Sequence, residues 1–143
     1  MGPLDGYLPY LLNRAGARIA TAFGEEMRRL GTSLQAWRVL AALREGDGRR
    51  MGDLSTTTSI EVSTLTRLVD NMEKEGLVAR RRDASDTRAV LLHVTAAGRR
   101  LSRRILPIAE RYQEVALKGF GATEAETLKA ALRRLYANMD DLA

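Results

Sequence analysis

The 143-residue chain has no cysteine, one histidine, three prolines and only 5% aromatic residues. Without thiols there can be no disulfide, thiolate zinc site, iron–sulfur ligation or thiol redox switch, which leaves a reducing compartment, the cytoplasm, as the expected location. His93 has no second ligand at metal-binding spacing, so neither a metal site nor a histidine-based catalytic pair is expected. The G-x-S-x-G, H-E-x-x-H and Walker lysine patterns are all missing. Gly46-Asp47-Gly48-Arg49-Arg50-Met51-Gly52 is glycine-rich, but its third glycine falls one place beyond that of G-x-G-x-x-G and it follows a helical pattern rather than a strand. No apolar run approaches membrane-spanning length, and Met1 is followed by Gly2, Pro3 and Asp5 instead of a basic leader. Neither a membrane span nor a signal peptide is therefore expected. These absences argue against an enzyme and against any resident cofactor.

What is present is unevenly distributed charge. The length suits one domain with a sizeable core, and the formal net charge is +5. Arg80, Arg81, Arg82, Arg88, Arg99, Arg100, Arg103 and Arg104 face only Asp83 and Asp86 across the same stretch, leaving the rest of the chain close to neutral. Such a cluster suits a polyanion, because bound cations displace counterions condensed on phosphates.

Hydrophobic periodicity places the elements. Leu8, Leu12, Ala15, Ile19, Ala22, Phe23, Met27 and Leu30 recur at spacings of three and four, predicting a long first helix with one apolar seam. Gly31-Thr32-Ser33 ends it, and Ser33 can cap a second helix over Leu34–Glu45. A short third helix is expected over Met51–Thr57, with the threonines suiting a tight turn. A fourth is expected over Glu61–Glu75, stopped by Gly76. The period then changes from 3.6 to 2: Leu77-Val78-Ala79 opens one strand, and Val90, Leu92 and Val94 line one face of a second, leaving His93 on the outward alternation. Two more helices should follow, Ala96–Lys118, bent or interrupted near Pro107, and Thr123–Leu142, with a Thr123/Glu126 capping box.

The fourth helix carries Ser63, Thr64, Thr66 and Arg67 opposite its apolar stripe. Arg67 can donate two bonds to guanine O6 and N7, and the short hydroxyl side chains reach base edges or phosphates without holding the helix off the groove. Asn71 and Lys74 lie further along, towards the DNA backbone. In the hairpin, Arg80, Arg81, Arg82 and Arg88 are candidate backbone and minor-groove contacts, with Asp86 placed to hold the Arg88 guanidinium. The last helix bears Leu128, Leu132, Leu135, Met139 and Leu142 at coiled-coil spacing. Apolar seams at both ends of the chain point to a homodimer.

Ser63-Thr64-Leu65-Thr66-Arg67-Leu68-Val69-Asp70, Glu73-Lys74-Glu75-Gly76-Leu77-Val78, Asp86-Thr87-Arg88 and Val94-Thr95-Ala96-Ala97-Gly98 closely resemble the MarR family of winged-helix transcriptional regulators. The resemblance covers the whole chain in helix order and length, with its specific motifs between Leu54 and Gly98. It implies a mainly α fold with a small β-hairpin wing: an N-terminal dimerisation helix (1–32), a winged helix-turn-helix (33–95) and C-terminal dimerisation helices (96–143). It further implies a homodimer on a pseudo-palindromic operator in double-stranded DNA, acting as a repressor and releasable by a small aromatic or phenolic effector. Two departures stand out. Glu61 occupies the usual cap position, so capping from Ser59 or an earlier helix start is expected. The lack of an N-terminal cysteine excludes the peroxide-sensing branch. Tyr7, Tyr10, Arg14, Trp37 and Arg38 are the candidates for an effector pocket, since an aromatic anion needs a ring wall and a cation, although Trp37 equally suits plain core. The rival reading is a winged-helix adaptor that binds protein instead of DNA. The sequence names neither operator, regulated genes, effector nor sign of regulation.

Overall fold

The structure, a computed structural model, describes residues 2–143. A 3-10 turn over Pro3–Gly6 leads into helix α1, Leu8–Arg29. Gly31, at φ +77°, turns the chain, and the Ser33 side chain accepts the Ala36 amide at 3.1 Å to start α2, Leu34–Glu45. Helix α3, Met51–Thr58, carries the threonines to its end rather than giving them to a turn. The turn itself is Ser59 to Glu61. Ser59 takes a left-handed conformation at φ 58°, and the Ser55 hydroxyl pins the turn by donating to the Ile60 carbonyl at 2.6 Å. Such φ values cost a non-glycine residue energy that local bonds offset.

Helix α4, Val62–Lys74, has Glu61 as its N-cap residue with no side-chain bond to the helix amides, so the cap expected from Ser59 is not formed. Gly76 at φ +78° ends it and feeds strand β1, Val78–Arg82, which pairs antiparallel with β2, Val90–Val94. In this register Val78 faces Val94, Arg80 faces Leu92 and Arg82 faces Val90. A single antiparallel bridge from Arg49 to Leu92 adds a minimal third strand.

The core lies under this winged helix-turn-helix. Val39, Leu40 and Leu43 of α2, Leu54 of α3, Leu65, Val69 and Met72 of α4, and Leu92 of β2 are all essentially inaccessible. Removing one such leucine side chain costs about 2–5 kcal/mol. Trp37 is half-buried against the same cluster.

Helix α5, Ala96–Ala116, runs unbroken through Pro107, so the expected interruption does not occur. Its first turn is tight. A Cβ on Gly98 would collide with the Leu77 carbonyl oxygen and the Val94 side chain. Helix α6 spans Ala122–Asn138 and ends in a 3-10 turn over Met139–Leu142. It is capped two residues earlier than expected: the Glu124 carboxylate accepts the Gly121 amide at 3.0 Å, in place of the Thr123/Glu126 box. The chain divides into two compact units, the first ending at Ala109 and the second running from Glu110 to Ala143.

Candidate nucleic-acid interface

Helix α4 buries Leu65, Val69 and Met72 and turns Ser63, Thr66, Arg67, Asn71 and Lys74 to solvent, while Thr64 is half-buried. The helix therefore has a sharply divided surface, apolar inward and hydrogen-bonding outward. Arg67 and Lys74 have no ion-pair partner among the described residues. The hydroxyl protons are less free. Ser63 Oγ donates to the Glu61 carboxylate at 2.7 Å and Thr66 Oγ1 to the Val62 carbonyl at 2.8 Å. As positioned, both oxygens offer lone pairs outward. Such an oxygen can accept from cytosine N4 or adenine N6, whereas a phosphate, itself only an acceptor, would require the hydroxyl to turn.

The wing divides its arginines by task. Arg88 is almost fully exposed, with its amide donating to Asp86 Oδ1 at 3.1 Å and its Nε 3.8 Å from the same oxygen. Asp86 also lies 3.8 Å from the Arg50 guanidinium at the head of α3, so the carboxylate tethers the wing tip as well as steadying Arg88. Arg81 is exposed and unpaired among the described residues. Arg82 donates to the Thr87 carbonyl at 2.7 Å and braces the hairpin from within.

Arg80, expected as a DNA contact, is already engaged within the protein. Its guanidinium turns back onto α4, with Nη2 2.7 Å from Asp70 Oδ1 and Nη1 2.7 Å from Glu73 Oε1, and its amide donates to Glu73 Oε2 at 3.1 Å. The Arg80 amide and guanidinium together hold the Glu73 carboxyl below its ordinary range. Two acids one helical turn apart face the start of β1, and they outcompete solvent for this arginine.

His93 keeps the outward alternation expected of it, opposite buried Leu92, but its ring is partly covered. Gly48, at φ +74°, lays the α2–α3 loop over the imidazole so closely that a Cβ there would touch the ring. Asp47 then accepts the Val94 amide at 2.8 Å and lies 3.2 Å from His93 Nδ1. Partial burial pushes the Asp47 carboxyl up, but the Val94 amide, the His93 ring and the Gly48 amide outweigh it and hold the carboxyl below its usual range. The loop is thus clasped to the end of β2.

A groove of about 490 Å³ opens beside this clasp. Leu40, Leu43 and Val94 give it apolar walls, Ser102 adds a buried hydroxyl, and Arg44, Arg99 and Arg103 stand with Glu45 and Asp47 around it. None of the five expected effector residues lines it. Tyr10 and Arg14 do meet, the guanidinium 5.8 Å from the ring centre, but on exposed α1; Tyr7 and Arg38 are exposed and Trp37 packs on the core.

A helix-turn-helix whose second helix shows guanidinium, amide and hydroxyl groups to solvent, beside a hairpin carrying free arginines, is the architecture of a winged-helix DNA-binding protein. A family model described as the MarR family matches residues 30–89. The chain is 30% identical over 105 residues to the HTH-type transcriptional regulator FarR of Neisseria gonorrhoeae, covering 73% of this chain and 72% of that protein. Its fold matches a MarR-family transcriptional regulator from Silicibacter pomeroyi with a TM-score of 0.86 and 34% identity, covering 95% of this chain and 92% of the other. It also matches BpsR of Bordetella bronchiseptica, whose DNA binding is regulated by 6-hydroxynicotinic acid, with a TM-score of 0.84 and 26% identity over 94% of this chain and 98% of the other. The chain belongs to the MarR family of transcriptional regulators. No helix among the described residues is long and apolar enough to cross a membrane.

Proposed function

We propose that this regulator is a repressor that binds a pseudo-palindromic operator as a homodimer, reading bases with α4 and the flanking minor groove with the wing. The observation that carries the reading is the presentation to solvent of Arg67 and Lys74 on α4 and Arg81 on the wing, none with an ion-pair partner among the described residues, together with Arg88, 95% exposed and held only by Asp86 at 3.8 Å. Arg67 reads a base edge, Ser63, Thr64 and Thr66 shape the local contact, Asn71 and Lys74 meet backbone, and Arg88 enters the minor groove.

Dimerisation is assigned to residues 1–32 and 96–143, flanking the 33–95 reading module. Leu8, Leu11, Leu12 and Ile19 of α1 are all exposed, and so are Leu128 and Leu132 of α6 and Met139 and Leu142 beyond it. Solvent-facing seams of this length favour a second copy as cover. A two-fold dimer would set its recognition helices roughly 34–36 Å apart, one turn of DNA.

The effector site is assigned to the groove between α2 and the first turns of α5 instead of the Tyr7, Tyr10, Arg14, Trp37 and Arg38 set. Its volume is that of a small-molecule site, and Arg44, Arg99 and Arg103 have no ion-pair partner among the described residues. Apolar walls with guanidinium groups at the rim suit a small organic anion with a flat or apolar body. The relative BpsR responds to such a molecule, 6-hydroxynicotinic acid. Because Val94 and the Asp47 clasp line the same groove, an occupant changes the footing of β2 and favours a wing position that no longer fits the operator. The regulator reading is tested by fluorescence anisotropy of a labelled duplex in rising salt. DNA binding predicts a steep linear fall of log affinity with log salt; an affinity indifferent to salt would favour the protein-adaptor reading.

A further inference from the structure

We infer that Arg80 is a positioning residue that sets the wing against the recognition helix, so that the Arg67 and Arg88 contacts fall in register on one duplex. The inference rests on the regulator reading but concerns a residue whose side chain faces the protein. Arg80 makes three bonds to α4: its guanidinium is 2.7 Å from both Asp70 Oδ1 and Glu73 Oε1, and its amide is 3.1 Å from Glu73 Oε2. Asp70 and Glu73 lie three residues apart, on one face of the last turns of α4, and Arg80 follows the Gly76 turn as the third residue of β1. A guanidinium is a planar fork and can hold two carboxylates at once, fixing both the distance and the angle between helix and strand. A lysine ammonium is a point charge that leaves the angle free.

The apolar contacts between α4 and the wing lie at the root of the hairpin. Val78 and Leu92 are buried, whereas Arg81, Arg82 and Val90 beyond them are exposed. Arg80 occupies the boundary between the packed and exposed halves of the hairpin. It is the outermost point at which β1 is tied to α4 by charged bonds, and Arg88 is carried on the tip beyond it, where the longer, exposed 3.8 Å Asp86–Arg50 pair is a second tie, to α3. The arrangement also offsets two carboxylates that would otherwise stand uncompensated on the helix approaching phosphate.

The test uses the full-length protein and two readouts. The first needs no DNA: hydrogen exchange of the β1 amides, Arg80 foremost, should be at least tenfold faster in Arg80→Gln, with α2 amides unchanged. The second compares affinities for duplexes with A-tract and mixed flanks around one selected site. Arg88→Ala abolishes the flank preference. Arg80→Gln should cut it at least severalfold while keeping the base preference set by Arg67, and Arg80→Gln added to Arg88→Ala should change it no further, as expected for residues acting as one unit. Arg80→Lys should restore part of the exchange protection and part of the flank preference. If Arg80→Gln is unstable, Glu73→Gln reports on the same bonds from the helix side. Unchanged exchange together with an equal, additive loss on all duplexes would make Arg80 an ordinary phosphate contact and overturn the inference. Altered exchange in a protein that binds no duplex would refute the regulator reading and leave the clamp standing.

Discussion

Arg88→Ala should separate binding from stability. The side chain is 95% exposed, and its only charged neighbour, Asp86, is 3.8 Å away and also serves Arg50. An exposed pair of this kind contributes at most about 1 kcal/mol, so the melting temperature of the free protein should scarcely move. On DNA the cost is larger, because a guanidinium held in a narrow minor groove makes charge-assisted bonds worth about 1.5–3 kcal/mol. That is roughly a 10- to 100-fold loss of affinity for each half-site, compounded over the two half-sites of a dimer and greatest on sites with A-tract flanks. Removing one cation from each protomer should also lower the salt slope by up to about 1.8 for a dimer. Calorimetry of the free protein and anisotropy titrations at several salt concentrations measure both halves. A fall in melting temperature with unchanged affinity, or an equal loss on A-tract and mixed flanks, would refute the minor-groove assignment.

Arg67→Ala should cost about 1–3 kcal/mol and relax preference at one base pair in a selection from randomised duplexes; a uniform loss across sequences would show that it meets only phosphate. Gly98→Ala should destabilise by about 1–3 kcal/mol in chemical denaturation, because the new methyl has to displace the Leu77 carbonyl or the Val94 side chain. Asp47→Asn tests the loop clasp through pH. The folded-state carboxyl is lowered, so its contribution is complete above the ordinary carboxylate range and is lost as pH falls through the lowered folded value. The variant should therefore melt below the parent at neutral pH and converge with it in acid; a gap that persists in acid would assign the loss to packing.

Much of the fold was legible because local signals agree with packing. Helix α2 begins and ends where Ser33 and Gly46 place it, and β2 spans the alternating Val90–Val94 run. Local signals failed at the start of the last helix: Thr123/Glu126 was read as the cap, whereas Gly121 and Glu124 form the bond. Pro107 was read as a bend or an interruption, and the helix is not interrupted there, since proline costs only one amide of a long helix. Within the interface, the outward face of α4 and the exposure of Arg81 and Arg88 follow from periodicity and turn chemistry. The task of Arg80 does not, because its partners Asp70 and Glu73 become neighbours only once the Gly76 turn and the strand register bring β1 back along the helix. The partial cover over His93 was illegible for a similar reason, since strand alternation does not reveal that Gly48 brings a loop against the ring. The groove assembles from α2, β2 and α5, which periodicity treats one at a time.

Two copies of this protein on one operator should leave a footprint of defined symmetry. Hydroxyl-radical footprinting on a fragment selected from the source genome by the purified protein should show two protected half-sites with inverted symmetry. Their centres should lie about one helical turn apart, each with a protected minor groove on its outer flank. Protection of a single half-site, or a selection that enriches no sequence at all, would contradict it.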